Sequence, residues 1–257
     1  MDDFLRMCLI ACPLVFVSGF VDSIAGGGGV ISIPAYLLAG IPVPYALGTN
    51  KFAASFGTTL ATAKYIRSGK VLFGIALPAA VASVAGSFIG TNLALHIPQE
   101  TLKFIVLAAL PCVAVFLSVN KGFGSGAAVR KHTEFSESII ACGIGFVIGC
   151  YDGLIGPGTG TFLILAFSGM LGTDLLVSSG CAKVSNLASN ITSMAIYAVS
   201  GRVLYAVALP AAAFCMLGNY LGARYAIRGG SKNVRKITYV VLLLLFVKIA
   251  ADLLKLT

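Results

Sequence analysis

Residues 48–90 read "GTNKFAASFGTTLATAKYIRSGKVLFGIALPAAVASVAGSFIG", and residues 180–222 read "GCAKVSNLASNITSMAIYAVSGRVLYAVALPAAAFCMLGNYLG". The two stretches align without a gap. Lys51 falls on Lys183, Tyr65 on Tyr197 and Gly69 on Gly201, while Pro78, Gly86 and Gly90 fall on Pro210, Gly218 and Gly222. Shared hydrophobicity does not place Lys, Tyr, Pro and Gly in register, so one unit is used twice, and that self-similarity sets the architecture. The repeat extends upstream: "DSIAGGGGVI" begins at Asp22 and "DGLIGPGTGTF" at Asp152.

Composition says where this unit resides. The chain is 58% hydrophobic and 11% charged, with a mean hydropathy of +0.97. That is too little polar surface to cover a soluble domain. Apolar stretches of about twenty residues recur, each long enough to cross a bilayer as a helix, and alternating β-barrel segments are absent. The expected class is an all-α polytopic membrane protein. A net charge of +9 does not point to nucleic acid, because most basic residues sit in short loops where they orient spans. The start, "MDDFLRMCLIACPLVFVSG", carries Asp2 and Asp3 where a signal peptide has basic residues, so it reads as the first span. The seven cysteines lie in apolar segments without a CxxC or Cys/His cluster and read as small buried hydrophobes.

Each half divides into five elements. The first half has spans near 4–24, 45–66, 71–95 and 101–119, with a short segment at 29–41. The second has 136–155, 175–199, 203–226 and 236–256, with a short segment at 160–172. The halves are residues 1–119 and 136–257, joined by a basic, Gly-rich linker at 120–135. The short segments cover only about 20 Å as helices, less than the roughly 30 Å hydrocarbon core. The expectation is therefore about eight full spans plus two short broken or re-entrant segments. Five elements per half is odd, which makes the second half an inverted copy; if the short segments only dip and return, the copies are parallel. The positive-inside rule selects the inverted arrangement. It gathers Lys64, Arg67, Lys70, Lys121, Arg130, Lys131, Arg228, Lys232, Arg235 and Lys236, ten of the eighteen basic residues, on one side. That side is expected to be cytoplasmic, with both termini outside the cytoplasm.

Inverted repeats with interrupted helices are the construction of secondary transporters. A helix break strands backbone N–H and C=O groups, and it persists in a membrane only where protein or a water-filled cavity satisfies them. Gly26, Gly27, Gly28 and Gly29, with Gly156, Pro157, Gly158 and Gly160, predict two broken-helix loops entering from opposite faces. A short helix after each aims its first N–H groups at the loop, which suits an anion. Close helix packing through glycine is the alternative. Lys51 and Lys183 lie roughly 9–12 Å into their spans, at a cost of about 2.5–3.5 kcal/mol each. Asp22 and Asp152 are their available counter-ions. Two Asp–Lys pairs can simply tie the halves together. Alternatively the lysines face a central anion, with Asn50, Asn186 and Asn190 as amide donors, Tyr151 lining the site and the carboxylates carrying protons. Lys248 and Asp252 read as a structural pair near a helix end, and His96 as interfacial. Tyr36, Tyr45, Tyr65, Tyr197 and Tyr205 fall near span ends, where aromatic belts form.

"GFVDSIAGGGGVISIPAYLLAGIPVPYALGTNK" and "GCYDGLIGPGTGTFLILAF", followed by "AKVSNLASNI", resemble the two signature regions of the TauE/SafE family of bacterial and archaeal inner-membrane proteins. The resemblance covers essentially the whole chain. It implies a transporter of sulfite, organosulfonates or related small sulfur-containing organic acids, with about eight spans and no bound cofactor. The partners it implies are a small anionic substrate and the lipid bilayer, not nucleic acid, and a homodimer is left open. Two other classes stay open beside the transporter. One is a passive anion channel. The other is an integral-membrane enzyme, which needs a nucleophile–base pair or metal cluster, whereas only His96 and His132 are present. No nucleotide motif supplies ATP as an energy source.

Overall fold

The computed structural model describes residues 3–102, 104–105 and 133–255, with side chains as far as Tyr239. The linker at 120–135 and the span at 101–119 lie largely outside the described residues, as do His132 and the side chains of Lys248 and Asp252. The described helices are α1 (Asp3–Ala25), α2 (Gly29–Leu38), α3 (Val43–Arg67), α4 (Phe73–His96), α5 (Glu134–Leu154), α6 (Thr159–Leu171), α7 (Leu175–Val199) and α8 (Tyr205–Lys255). α8 is broken at Gly230, whose φ of 63° and ψ of −158° suit only glycine. The break separates the two spans expected at 203–226 and 236–256.

Among the described residues, four helices are both long and apolar enough to cross a membrane: Phe4–Ala25, Phe73–His96, Glu134–Leu154 and Tyr205–Tyr239. α3 and α7 have 25 residues each, enough for about 38 Å, but they are more polar. The reason is their position. α3 buries Thr49, Lys51, Ser55, Thr58 and Thr62, and α7 buries Ser178, Ser179, Lys183, Ser185, Asn186, Ser189, Asn190 and Ser193. These two helices pack against each other and against α4 and α8, so their polar faces meet protein rather than lipid. α2 and α6 have 10 and 13 residues and reach only about 15 and 20 Å.

The halves interlock: α1 packs on α8 and α5 on α4. Their contacts come in exchanged pairs. A Cβ on Gly86 would collide with the Phe146 carbonyl and crowd Cys150, and one on the matching Gly218 would collide with the Phe16 carbonyl and crowd Phe20. Gly48 lies against the Arg202 carbonyl as Gly180 lies against that of Lys70. The Leu72 N–H donates to Cys181 Sγ, and the matching Leu204 N–H donates to Thr49 Oγ1. Contacts advance together along α4 and α5 (Ala79 with Gly145, Ser83 with Gly149, Ser87 with Gly153), so this pair runs parallel. The glycines are small where backbones approach closely, as helix packing in lipid requires.

Two expectations about side chains are corrected. Tyr36, Tyr65 and Tyr197 are buried rather than set in an interfacial belt. Tyr65 lies between halves, its hydroxyl donating to the Ser23 carbonyl at 2.9 Å and bonding Ser179 Oγ at 3.1 Å. Tyr205 is exposed near its helix start, as expected. Among the cysteines, Cys12, Cys181 and Cys215 are buried, whereas Cys142 is exposed.

Candidate functional site

α1 and α5 both stop at glycine. Gly26 has φ +75° and Gly156 φ +90°, left-handed conformations that glycine adopts without a steric cost. The chain turns there into α2 and α6. The two loops then touch. A Cβ on Gly26 would collide with the Gly160 backbone, one on Gly160 would lie 2.5 Å from Gly26 Cα, and one on Gly29 would lie 3.1 Å from Pro157 Cα. The glycines therefore allow the turn and also let two backbones cross at van der Waals distance. The N-cap residues of α2 and α6 are Gly28 and Gly158, and neither helix has a side-chain cap. Loop carbonyls cap part of each start instead: the Val30, Ile31 and Thr159 N–H groups donate to the Gly27, Gly28 and Gly156 carbonyls.

The charged residues meet at this crossing. Lys51 Nζ lies 2.7 Å from Asp152 Oδ2, and Lys183 Nζ lies 2.7 Å from Asp22 Oδ2. Each pair joins one half to the other. Asp152 also accepts from Ser189 Oγ at 2.6 Å and from Thr159 Oγ1 at 2.7 Å. Lys51 donates to Asn190 Oδ1 at 3.1 Å, and Asn190 Nδ2 donates to Asn186 Oδ1 at 3.3 Å. Both lysines are buried, and opposite charge with hydrogen bonding is what makes such burial tolerable.

Asp22, Gly26, Gly29, Asn50, Lys51, Asp152, Gly156, Gly160, Asn186 and Asn190 line one cavity of about 30 Å³. That leaves room for about one or two waters. Five residues expected at the site stand behind it. Lys183 is covered by its partner Asp22. The Gly28 carbonyl accepts from Ser18 and Ser32, Tyr151 donates its hydroxyl to the Pro157 carbonyl, and Gly27 and Gly158 belong to the loops themselves. Ser32, Ala54, Thr159 and Cys215 complete the lining and were not expected from the sequence. Thr159 had a legible signal, because it lies between two of the loop glycines. Ser32, one turn into a short apolar helix, had none. Among the described residues no group of three or more His, Cys, Asp or Glu is placed to hold a metal ion, and His96 caps the end of α4 with Nδ1 2.7 Å from the Asn92 carbonyl.

The comparisons with known proteins cover nearly the whole chain. A probable membrane transporter protein of Sinorhizobium is 37% identical over 92% of this chain and 90% of its own length. One of Haemophilus influenzae is 30% identical over 98% of each chain. The probable membrane transporter protein YfcA of Escherichia coli is 30% identical over 93% of this chain and 88% of its own. No solved structure matches. The family model described as sulfite exporter TauE/SafE matches residues 11–249, and with these relatives it shows that the chain belongs to the TauE/SafE family of membrane proteins.

Proposed function

We propose that the chain is a secondary transporter of small anions, with sulfite, organosulfonates or related sulfur-containing organic acids as substrates, working by alternating access with coupling to protons. One observation carries the reading: Asp22, Lys51 and Asp152, members of two Lys–Asp pairs that bridge the halves, line a polar cavity at which two helices without side-chain caps begin. Pairs that served only to tie the halves together would need neither broken helices nor amides around a cavity. The Asn50 side chain lines it, with no hydrogen bond of its own among the described residues. The four charges sum to zero, so an entering anion adds uncompensated charge in a low-dielectric site, and a proton taken by a carboxylate restores neutrality. The cavity is smaller than sulfite needs, so the loops or halves have to shift to admit it. The names of the family and of its relatives agree with transport, and the family's name supports sulfite.

The reading includes an inverted repeat of residues 1–119 and 136–257 with the linker 120–135 between them. Helix directions support it. α3 runs alongside α8 in parallel (Thr49 with Leu204, Gly57 with Cys215, Lys64 over Tyr220) and antiparallel to α7 (Thr62 with Lys183, Lys51 with Asn190). Matching helices then point opposite ways. The same directions bring Lys64, Arg67 and Lys70 to one end with Arg228, Lys232, Arg235 and Lys236, which the positive-inside rule makes cytoplasmic. In a bacterial or archaeal inner membrane both termini then face away from the cytoplasm. A C-terminal alkaline phosphatase fusion should be active and a fluorescent-protein fusion dark; the opposite pattern rejects the arrangement.

Proteoliposome flux tests the function. Purified protein should accumulate labelled sulfite or a small alkyl sulfonate by counterflow, which a passive channel cannot do, and a pH gradient should change the rate. Absence of flux for every sulfur anion tried, in protein that remains folded, rejects the proposal.

A further inference from the structure

The two ion pairs occupy matching positions in the repeat, yet their surroundings differ. Asp152 is 2% exposed and accepts from Lys51, Ser189 and Thr159. The Asp22 side chain is 17% exposed, and its carboxylate is hydrogen-bonded, among the described residues, to Lys183 alone. The repeat explains the difference. The position that matches Ser189 is Gly57, and the position that matches Thr159 is Gly29. No hydroxyl takes their place at Gly57, because the space a Cβ would enter is filled by Asn219 Nδ2 and Cys215 Sγ, at 2.5 and 2.6 Å. One carboxylate thus holds two neutral donors as well as its lysine, and its copy holds a lysine only.

We propose that the carboxylates have divided roles: Asp22 exchanges the coupled proton, and Asp152 is a permanently charged brace. This rests on anion transport through the cavity and says which residue couples it. Hydrogen-bond donors hold a carboxylate in its charged form, and a desolvated carboxylate without them favours the neutral one. If Lys51 turns toward an anion, Asp152 keeps Ser189 and Thr159. If Lys183 turns, Asp22 keeps nothing, so its carboxylate takes a proton from the water on the side to which the cavity is open and becomes a carboxylic acid. When the anion leaves, Lys183 returns and that proton is released. The other groups facing Asp22 do not substitute for the lysine. Tyr65 from α3 and Cys215 from α8 stand near it, Lys51 and Asp152 share its cavity, and α2 and α6 bring only Ser32, Thr159 and glycines. Asp152 is faced in turn by Lys51 and by Tyr197 of α7.

Infrared difference spectroscopy on the full chain in liposomes, acidified without substrate, reads the carboxyl C=O band directly. The first buried carboxyl band to rise should vanish in Asp22→Asn, persist shifted in Asp22→Glu and remain in Asp152→Asn. The double variant Ser189→Ala/Thr159→Ala, which gives Asp152 the bare surroundings of Asp22, should gain a second such band. In sulfite flux, whatever counterflow Asp22→Asn retains should not respond to a pH gradient. A band that survives Asp22→Asn, a band removed by Asp152→Asn, or an undiminished gradient response in Asp22→Asn overturns the division. A wild-type protein that moves no sulfite rejects the transport reading instead, and the infrared spectra still decide between the two carboxylates.

Discussion

Lys51→Ala is expected to abolish anion flux and to destabilise the protein, whereas Lys183→Ala is expected to abolish flux at a smaller cost in stability. The lysines are matching residues, so the difference comes from their partners. Without Lys51, the Asp152 carboxylate remains almost fully buried with Ser189 and Thr159 but no cation, and breaking a buried pair from one side costs about 3–5 kcal/mol. Without Lys183, Asp22 retains partial exposure and can be solvated or protonated, so the penalty is smaller. Flux fails in both cases, because each variant removes half of the positive charge available to the anion. Membrane insertion, thermal unfolding in detergent and sulfite counterflow together check this. Lys51→Met or Lys183→Met protein that still carries sulfite at the wild-type rate would show that the pairs only join the halves.

The all-helical class was legible from composition, and the sequence repeat from a lysine, a tyrosine, a proline and several glycines that recur at fixed spacing. Element bounds followed: the short helices expected at 29–41 and 160–172 are Gly29–Leu38 and Thr159–Leu171. What the sequence concealed was which partner each charge takes. Asp22 and Lys51 are near in sequence, but the pairs cross between halves, a three-dimensional fact that only helix directions determine. The interior tyrosines were hidden for a related reason. Position near a span end predicts an interfacial ring only when that face meets lipid, and Tyr65 and Tyr197 lie on α3 and α7, which other helices surround. The low hydropathy of those two helices was a signal of central position that counting spans does not use. Ser189 was obscured by the repeat itself, because its match in the first half is Gly57 and a residue that differs between the copies leaves no paired signal.

Gly26→Ala is expected to lower flux by at least roughly tenfold and to destabilise the fold, while Gly40→Ala leaves flux intact. Both glycines have positive φ, +75° and +85°, so an L-residue at either costs about 1–2 kcal/mol of backbone strain. They differ in what a methyl group would meet. Nothing lies within 4 Å of a Cβ on Gly40, whereas one on Gly26 would overlap the backbone of Gly160 and Thr161. Backbone cannot rotate aside as a long side chain does, so the two loops have to separate, adding about 1–3 kcal/mol for overpacking. Separation moves Gly156 and Thr159 away from Lys51 and Asp152, and the starts of α2 and α6 no longer face one cavity. Subtracting the Gly40→Ala effect therefore isolates the loop crossing from the strain of the turn. Counterflow of sulfite and thermal unfolding on the two variants make the comparison. Equal behaviour of the two would mean that the loops are free to part, and that the glycines after Asp22 serve the turn alone.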